Sequence, residues 1–194
     1  MPSYHVISRE RHARKCWQRH STYAFAAADA FVPLSAVELA KAVLTLPTAL
    51  IKQGEGFILV AVLGLQSGVN LFVAPDGRWI GNYIPAALRS YPFHLVQTED
   101  GEKGLCIDED GGLVSDGPAG EHFFADDGQP VQAVLDVLNF LDQIELSRLR
   151  TQTACAALQK HDLIQPWPVI WKTEAGDKQL TGLFRIDEAA LNAL

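Results

Sequence analysis

The sequence predicts an α+β fold: a mainly antiparallel sheet built from hairpins, with a long amphipathic helix pair packed on it. Three observations point there. Short runs rich in Val, Ile, Leu and Phe are separated by turns containing Gly, Pro and Asp, a long apolar stripe of helical period follows Pro130, and no regular alternation of strand and helix calls for a parallel sheet. With 194 residues, 48% hydrophobic and 20% charged, the chain suits a single domain that buries roughly 70% of its unfolded surface.

In chain order, Ser35 precedes Val37, Leu39, Ala40, Val43 and Leu44 and has Glu38 three residues on, the capping-box start of a short helix that Pro47 ends. Thr48–Lys52, Phe57–Leu65 and Val69–Val73 read as strands. The uncharged run from Gly56 to Pro75 approaches the length of a membrane span. Its centre, Gly64 to Asn70, has the composition of a turn, so two buried strands with a tight connection are preferred over a span. In Ala74-Pro75-Asp76-Gly77, Pro presets φ and Gly supplies the left-handed position, so Arg78–Tyr83 is expected to pair back as a hairpin strand. Pro85 opens a short helix through Arg89 that Pro92 stops, and Phe93–Thr98 with Gly104–Asp108 reads as a second hairpin across Glu99–Lys103. Val131, Val134, Leu135, Leu138, Leu141, Ile144 and Leu149 give the strongest helix signal. A second helix, Thr153 to His161, continues it or kinks away near Thr151. Gln165-Pro166-Trp167-Pro168 is forced into extended backbone because each residue before a proline avoids the α region. Val169–Thr173 and Gln179–Arg185 read as a third hairpin across Ala175-Gly176-Asp177, and Asp187 caps a closing helix to Leu194.

Charge divides the chain. The formal net charge is −7, which opposes a nucleic-acid binder that works by neutralising phosphates. Residues 1–20 form a basic arm of net +4, and residues 99–127 carry net −9, so the two can attract each other within one molecule or between two, or stay separately solvated. The organisation expected is a 1–20 arm followed by a single domain over 21–194. Arg9, Arg11, Arg14, Lys15 and Arg19 occupy the place of an uncharged signal core, so export by a signal peptide is not expected. Three cysteines, Cys16, Cys106 and Cys155, are too few and odd in number for a disulfide scaffold. The expected location is cytoplasmic, the alternative being the cell surface by a route that needs no signal peptide, with no integral membrane insertion.

Phosphate-binding glycine motifs, a nucleophile elbow, HExxH and CxxC are all absent. Asp108, Asp110 and Asp116 could supply oxygens to a hard cation, although Leu113 and Ala119 stand at the sixth and twelfth EF-hand positions counted from Asp108. His12, Cys16 and His20 share a helical face at i, i+4, i+8, a workable ligand spacing in a basic setting that opposes a cation. Cys106 and Asp108 lie on one strand face and are the catalytic candidates, with His94, His122 or His161 as a base if the fold brings one close. The acidic surroundings raise a thiol pKa, the wrong direction for a thiolate nucleophile. Trp79, Tyr91, Phe93, Trp167 and Trp171 could line a pocket for a sugar or a peptide, or could be core. The residues alone name no cofactor.

Across almost the whole chain, and in order, the residues resemble a known family. Phe31-Val32-Pro33-Leu34-Ser35, Asn70-Leu71-Phe72-Val73, Asp76-Gly77-Arg78-Trp79, Leu88-Arg89-Ser90-Tyr91-Pro92-Phe93, Leu105-Cys106-Ile107-Asp108-Glu109-Asp110 and Gly182-Leu183-Phe184-Arg185-Ile186-Asp187 are similar to segments of the bacterial SapC family. The resemblance implies an accessory or binding protein of envelope and surface-layer biology, with no established reaction, and the charge asymmetry of the chain adds the expectation of a protein partner or a homo-oligomer. The resemblance directs attention to Asp76–Arg78, Tyr91–Phe93 and Cys106–Asp110, and together with the aromatic group this gives Arg78, Trp79, Tyr91 and Trp167 as the binding candidates. The permease label attached to some members conflicts with a chain that shows no convincing span. The alternative is an enzyme with its site around Cys106 and the Asp108–Asp116 loop, with or without a metal.

Overall fold

Local propensity and turn chemistry place most of the elements, and long-range pairing assembles them. The computed structural model describes residues 3–97, 101, 103–117, 119–174 and 176–193. The strands are β1 (Tyr4–Val6), β2 (Cys16–Trp17), β3 (Phe31–Pro33), β4 (Thr48–Gln53), β5 (Gly56–Val62), β6 (Phe93–Gln97), β7 (Lys103–Asp108), β8 (Val114–Ser115), β9 (Glu121–His122), β10 (Ile164–Pro166), β11 (Val169–Thr173), β12 (Gly176–Leu180) and β13 (Leu183–Ile186). The helices are α1 (Arg9–His12), α2 (Ala36–Ala42), α3 (Ala86–Arg89), α4 (Gln132–Lys160) and α5 (Glu188–Leu191).

Every strand pairing is antiparallel. The orders are β10-β13-β4-β5-β3, β1-β7-β6, β8-β2-β9 and the ribbon β11-β12. The predicted fold class therefore stands, with one change: the expected helix pair is the single 29-residue α4. Thr151, near which a kink was one reading, donates its hydroxyl to the Ser147 carbonyl at 2.7 Å and accepts the Ala36 N–H at 2.8 Å. The side chain thus serves the otherwise unpaired first turn of α2, and α4 runs on through it. Helix α4 packs against both β5 and β6 and so links the five-stranded sheet to β1-β7-β6.

The predicted strand Val69–Val73 and its partner Arg78–Tyr83 reduce to one bridge between Val73 and Trp79. The turn between them is as expected, with Gly77 at φ 81° and its N–H donating to Ala74 O at 2.8 Å. Buried Asn70 replaces the ladder: its Nδ2 donates to Ala26 O at 3.0 Å and its Oδ1 accepts Phe72 N–H at 2.9 Å. The third hairpin closes earlier than predicted. Val169–Thr173 pairs with Gly176–Leu180, and Leu183–Ile186 instead crosses to β10 and β4. Much of the turn expected at Glu99–Lys103, with Thr98, Ala175 and Leu194, lies outside the described residues.

Residues 3–20 are woven into the sheets rather than standing apart: β1 adds to β7, and β2 is the centre of β8-β2-β9. Trp17 is fully buried in a cluster with Phe93, Ile107, Phe123, Val134 and Leu141. The charge asymmetry acts inside the molecule, since Arg11 and Lys15 reach Glu109 at 2.6 and 2.9 Å and Arg19 reaches Glu121 at 3.2 Å.

Candidate functional site

The segment that ends α3 and the strands β1, β6 and β7 come together around a cleft of about 600 Å³, walled by Tyr4, Phe25, Tyr91 and His94 and carrying Asp29, Asp108 and Asp110. Tyr91 and Phe25 stack with ring centroids 3.9 Å apart, and Tyr4 and His94 lie tilted at 5.5 Å. His20 supports this wall from behind, its Nδ1 donating to Tyr91 O at 2.8 Å while its ring meets Tyr23 and Phe25 edge-on.

Asp108 is the buried anchor. Its Oδ1 accepts the N–H groups of Ser3 and Asp110 at 3.0 and 3.2 Å, and its Oδ2 accepts the Tyr91 hydroxyl at 3.1 Å. A carboxylate with three donors is satisfied where it stands, which orders the cleft wall. Burial, then the hydrogen bond to Asp108, pushes the Tyr91 phenol up to about 12. Burial also raises Tyr4, with the charges of Asp108 and Asp29 adding to it, and burial raises the Asp29 carboxyl. The cleft therefore presents aromatic faces under a negative potential, a setting that suits hydrogen-bond donors and organic cations. Gly111 makes room for this wall, since a Cβ there would run into the Tyr91 hydroxyl.

Cys106 faces His94 across the β6–β7 ladder, but it is 2% exposed and burial raises its thiol pKa, opposite to what a thiolate nucleophile requires. Asp110 is exposed at the cleft mouth, whereas Asp116 follows β8 and does not line the cleft. Among the described residues no three His, Cys, Asp or Glu side chains are grouped so as to hold a metal ion.

The shared helical face of His12, Cys16 and His20 does not form, because α1 ends at His12 and Cys16 is already in β2. Each takes a separate partner. His12 Nδ1 accepts the Ser8 N–H at 3.2 Å, so its proton sits on Nε2, which lies 3.0 Å from Glu109 Oε1 in an oblique contact. Cys16 Sγ lies 3.4 Å from His122 Nδ1.

Of the binding candidates Arg78, Trp79, Tyr91 and Trp167, Tyr91 lines this cleft, and so does Phe93 of the wider aromatic group. Arg78 is exposed and paired with Asp76 at 2.8 Å, and Trp79 packs against Phe72 and donates Nε1 to Tyr83 O at 2.9 Å. Trp167 packs on the Ala49, Val60 and Leu183 cluster and lines a different cavity of about 600 Å³. Sequence reasoning did not reach Tyr4, Phe25 and Asp29. No signal marked Tyr4, because it arrives through a pairing that spans about a hundred residues, Tyr4 opposite Asp108.

Among the described residues no helix is long and apolar enough to cross a membrane. No curated protein and no solved structure matches the chain. A sequence model of the SapC family matches residues 7–194, every element after β1, and the chain therefore belongs to the SapC family.

Proposed function

We propose that this SapC-family protein is an accessory binding module of bacterial envelope or surface-layer biology, and that its ligand seats in the cleft bounded by Tyr4, Tyr91 and Asp108. One observation carries the reading: aromatic faces and carboxylates converge on one concavity whose buried acid is fully hydrogen-bonded and whose nearest thiol is buried with a raised pKa. Such groups are arranged to hold a ligand rather than to exchange protons or attack it. The ligand class that fits is a group bearing an amine or guanidinium beside an apolar surface, as on a basic peptide or an amino sugar.

The test has two parts. Titration of the chain with a lysine-containing peptide and its glutamate counterpart, followed by tyrosine fluorescence, should show saturable quenching by the first alone, lost in Tyr91→Ala. Quenching by neither would remove the cleft as the seat. Fractionation of bacterial cells producing the chain should find it with the envelope, and less so for Tyr91→Ala. Both proteins remaining wholly in the cytosolic fraction would defeat the envelope role.

A further inference from the structure

A second concavity adjoins the cleft at Ala87, Ser90 and His94. It has a volume of about 640 Å³ and runs along His94–Gln97 of β6, with Pro33–Ser35 facing it and Leu141, Ile144 and Arg148 of α4 beneath. Its significance comes from which strand edge it exposes.

In the order β1-β7-β6, strand β6 is an outer strand. The ladder pairs His94 with Cys106 and Val96 with Gly104, and Asp108 N–H donates to Pro92 O at 2.9 Å. Antiparallel alternation then assigns the backbone groups of His94 and Val96 to β7, and turns those of Leu95 and Gln97 outward. Phe93, the outward residue before them, closes a local turn by donating to Ser90 O at 2.8 Å. Among the described residues, no backbone hydrogen bond outside the ladder reaches Leu95 or Gln97. The opposite wall is different. Strand β3 is also an outer strand, and by the same alternation its residue 33 faces outward, but Pro33 has no N–H to offer. Among the described residues, then, one wall of the slot is an outer strand edge with outward-facing groups, and the other is blunted.

Charge and shape narrow the occupant. The rim cations are engaged by α4 acids, Lys103 with Asp142 at 2.9 Å and Arg148 with Glu145 at 2.7 Å, so the slot offers an apolar floor without a free charge of either sign from these pairs. Four residues of β6 at about 3.3 Å each give an edge about 13 Å long, enough for one short strand. Pro33–Ser35 and His94–Gln97 line the same slot, so the occupant has to fit between two segments of this chain, as a single extended strand does.

We propose that this slot docks an extended, apolar peptide segment of a partner protein, which adds to β6 as a strand through the outward groups of Leu95 and Gln97 and sets alternate side chains on Leu141 and Ile144. This site adjoins the Tyr91 cleft, sharing Ala87, Ser90 and His94 with it, but its ligand is held by the outer edge of β6 rather than by Tyr91.

The experiment is selection of a phage-displayed random peptide library on the immobilised full chain, followed by fluorescence anisotropy of the enriched peptides. Enriched peptides should carry apolar residues at alternate positions. Gln97→Pro, which removes one outward N–H and no ladder bond, should weaken binding about tenfold, while Gln97→Ala changes it less than about twofold. Hydrogen exchange of the unaltered chain should show the Leu95 and Gln97 amides slowed on peptide addition, a readout that stands if Gln97→Pro fails to fold. No enrichment over a blocked surface, equal effects of the two substitutions, or unchanged exchange at both amides would overturn the proposal. So would light scattering that shows a dimer dissolved by Gln97→Pro, since the occupant would then be a second copy.

Discussion

Glu109 illustrates how single side chains tie the first residues to the acidic loop. Its hydrogen bond from Arg11, then that from Lys15, holds its carboxyl down at about 2, while burial holds His12 below its ordinary value. A carboxylate depressed in the folded state stabilises above its unfolded pKa, and that contribution is lost as pH falls toward its folded one. For Glu109 the window runs from about 4.5 down to about 2. His12 acts in the same direction from a higher pH, because its buried neutral ring becomes a liability as pH falls below 6.5. Stability measured by urea titration should therefore decline with acid in two stages. Glu109→Gln should lower it by about 1–2 kcal/mol at pH 7, the solvent-facing Arg11 end limiting the effect, and should flatten the stage below pH 4.5. A flat profile between pH 7 and 4 would contradict this account. Thiol chemistry gives a second check. Cys16, Cys106 and Cys155 are 1%, 2% and 4% exposed, so Ellman's reagent should find all three in denaturant and react with the native protein far more slowly than with a model thiol. Rapid labelling of Cys106 in the native state would revive the nucleophile reading.

Capping chemistry is the most legible part of the sequence at the scale of elements, because its partners are three residues apart. Ser35 and Glu38 form the predicted capping box. What spacing does not show is that Glu38 Oε1 also accepts the Tyr83 hydroxyl at 2.9 Å and Ala86 N–H at 2.7 Å, which locks α2 to the start of α3. Thr151 is a parallel case from α4. Thr151→Val keeps the shape but leaves the Ala36 N–H without its partner, and should cost about 1–3 kcal/mol, whereas Thr151→Ser should restore most of it. Equal stability of the valine and serine variants in thermal unfolding would show that the hydroxyl contributes nothing. The hairpins β4–β5 and β6–β7 are legible because their apolar runs flank turn residues. Val69–Val73 misleads for a physical reason: its composition is that of a strand, yet Asn70 satisfies the neighbouring backbone and removes the need for a ladder.

Considered as a whole, the molecule rests on three apolar clusters, and the stretch that reads as a basic arm supplies Trp17 to one of them. Deleting residues 1–17 removes β1, β2 and that tryptophan, so the expected outcome is loss of cooperative folding rather than a change of assembly alone. Far-ultraviolet circular dichroism with thermal melting reads this directly, and an unchanged melt would show that these residues are an appendage. The same stretch completes the candidate cleft, since Tyr4 and the Ser3 N–H reach Asp108 only through the β1–β7 pairing.

By itself the sequence determined the fold class, the principal hairpins, the helix caps and the family, because periodicity, turn chemistry and motif order are local and additive along the chain. It also marked Tyr91, Phe93, His94, Asp108 and Asp110, five of the residues at the cleft. Only the tertiary structure decided that Trp167 and Arg78 lie elsewhere, that His12, Cys16 and His20 take three different partners, and that β6 is an outer strand of its sheet. Those outcomes depend on strand order and register, which are set by burial summed over distant segments and carry no signature in the spacing of neighbouring residues.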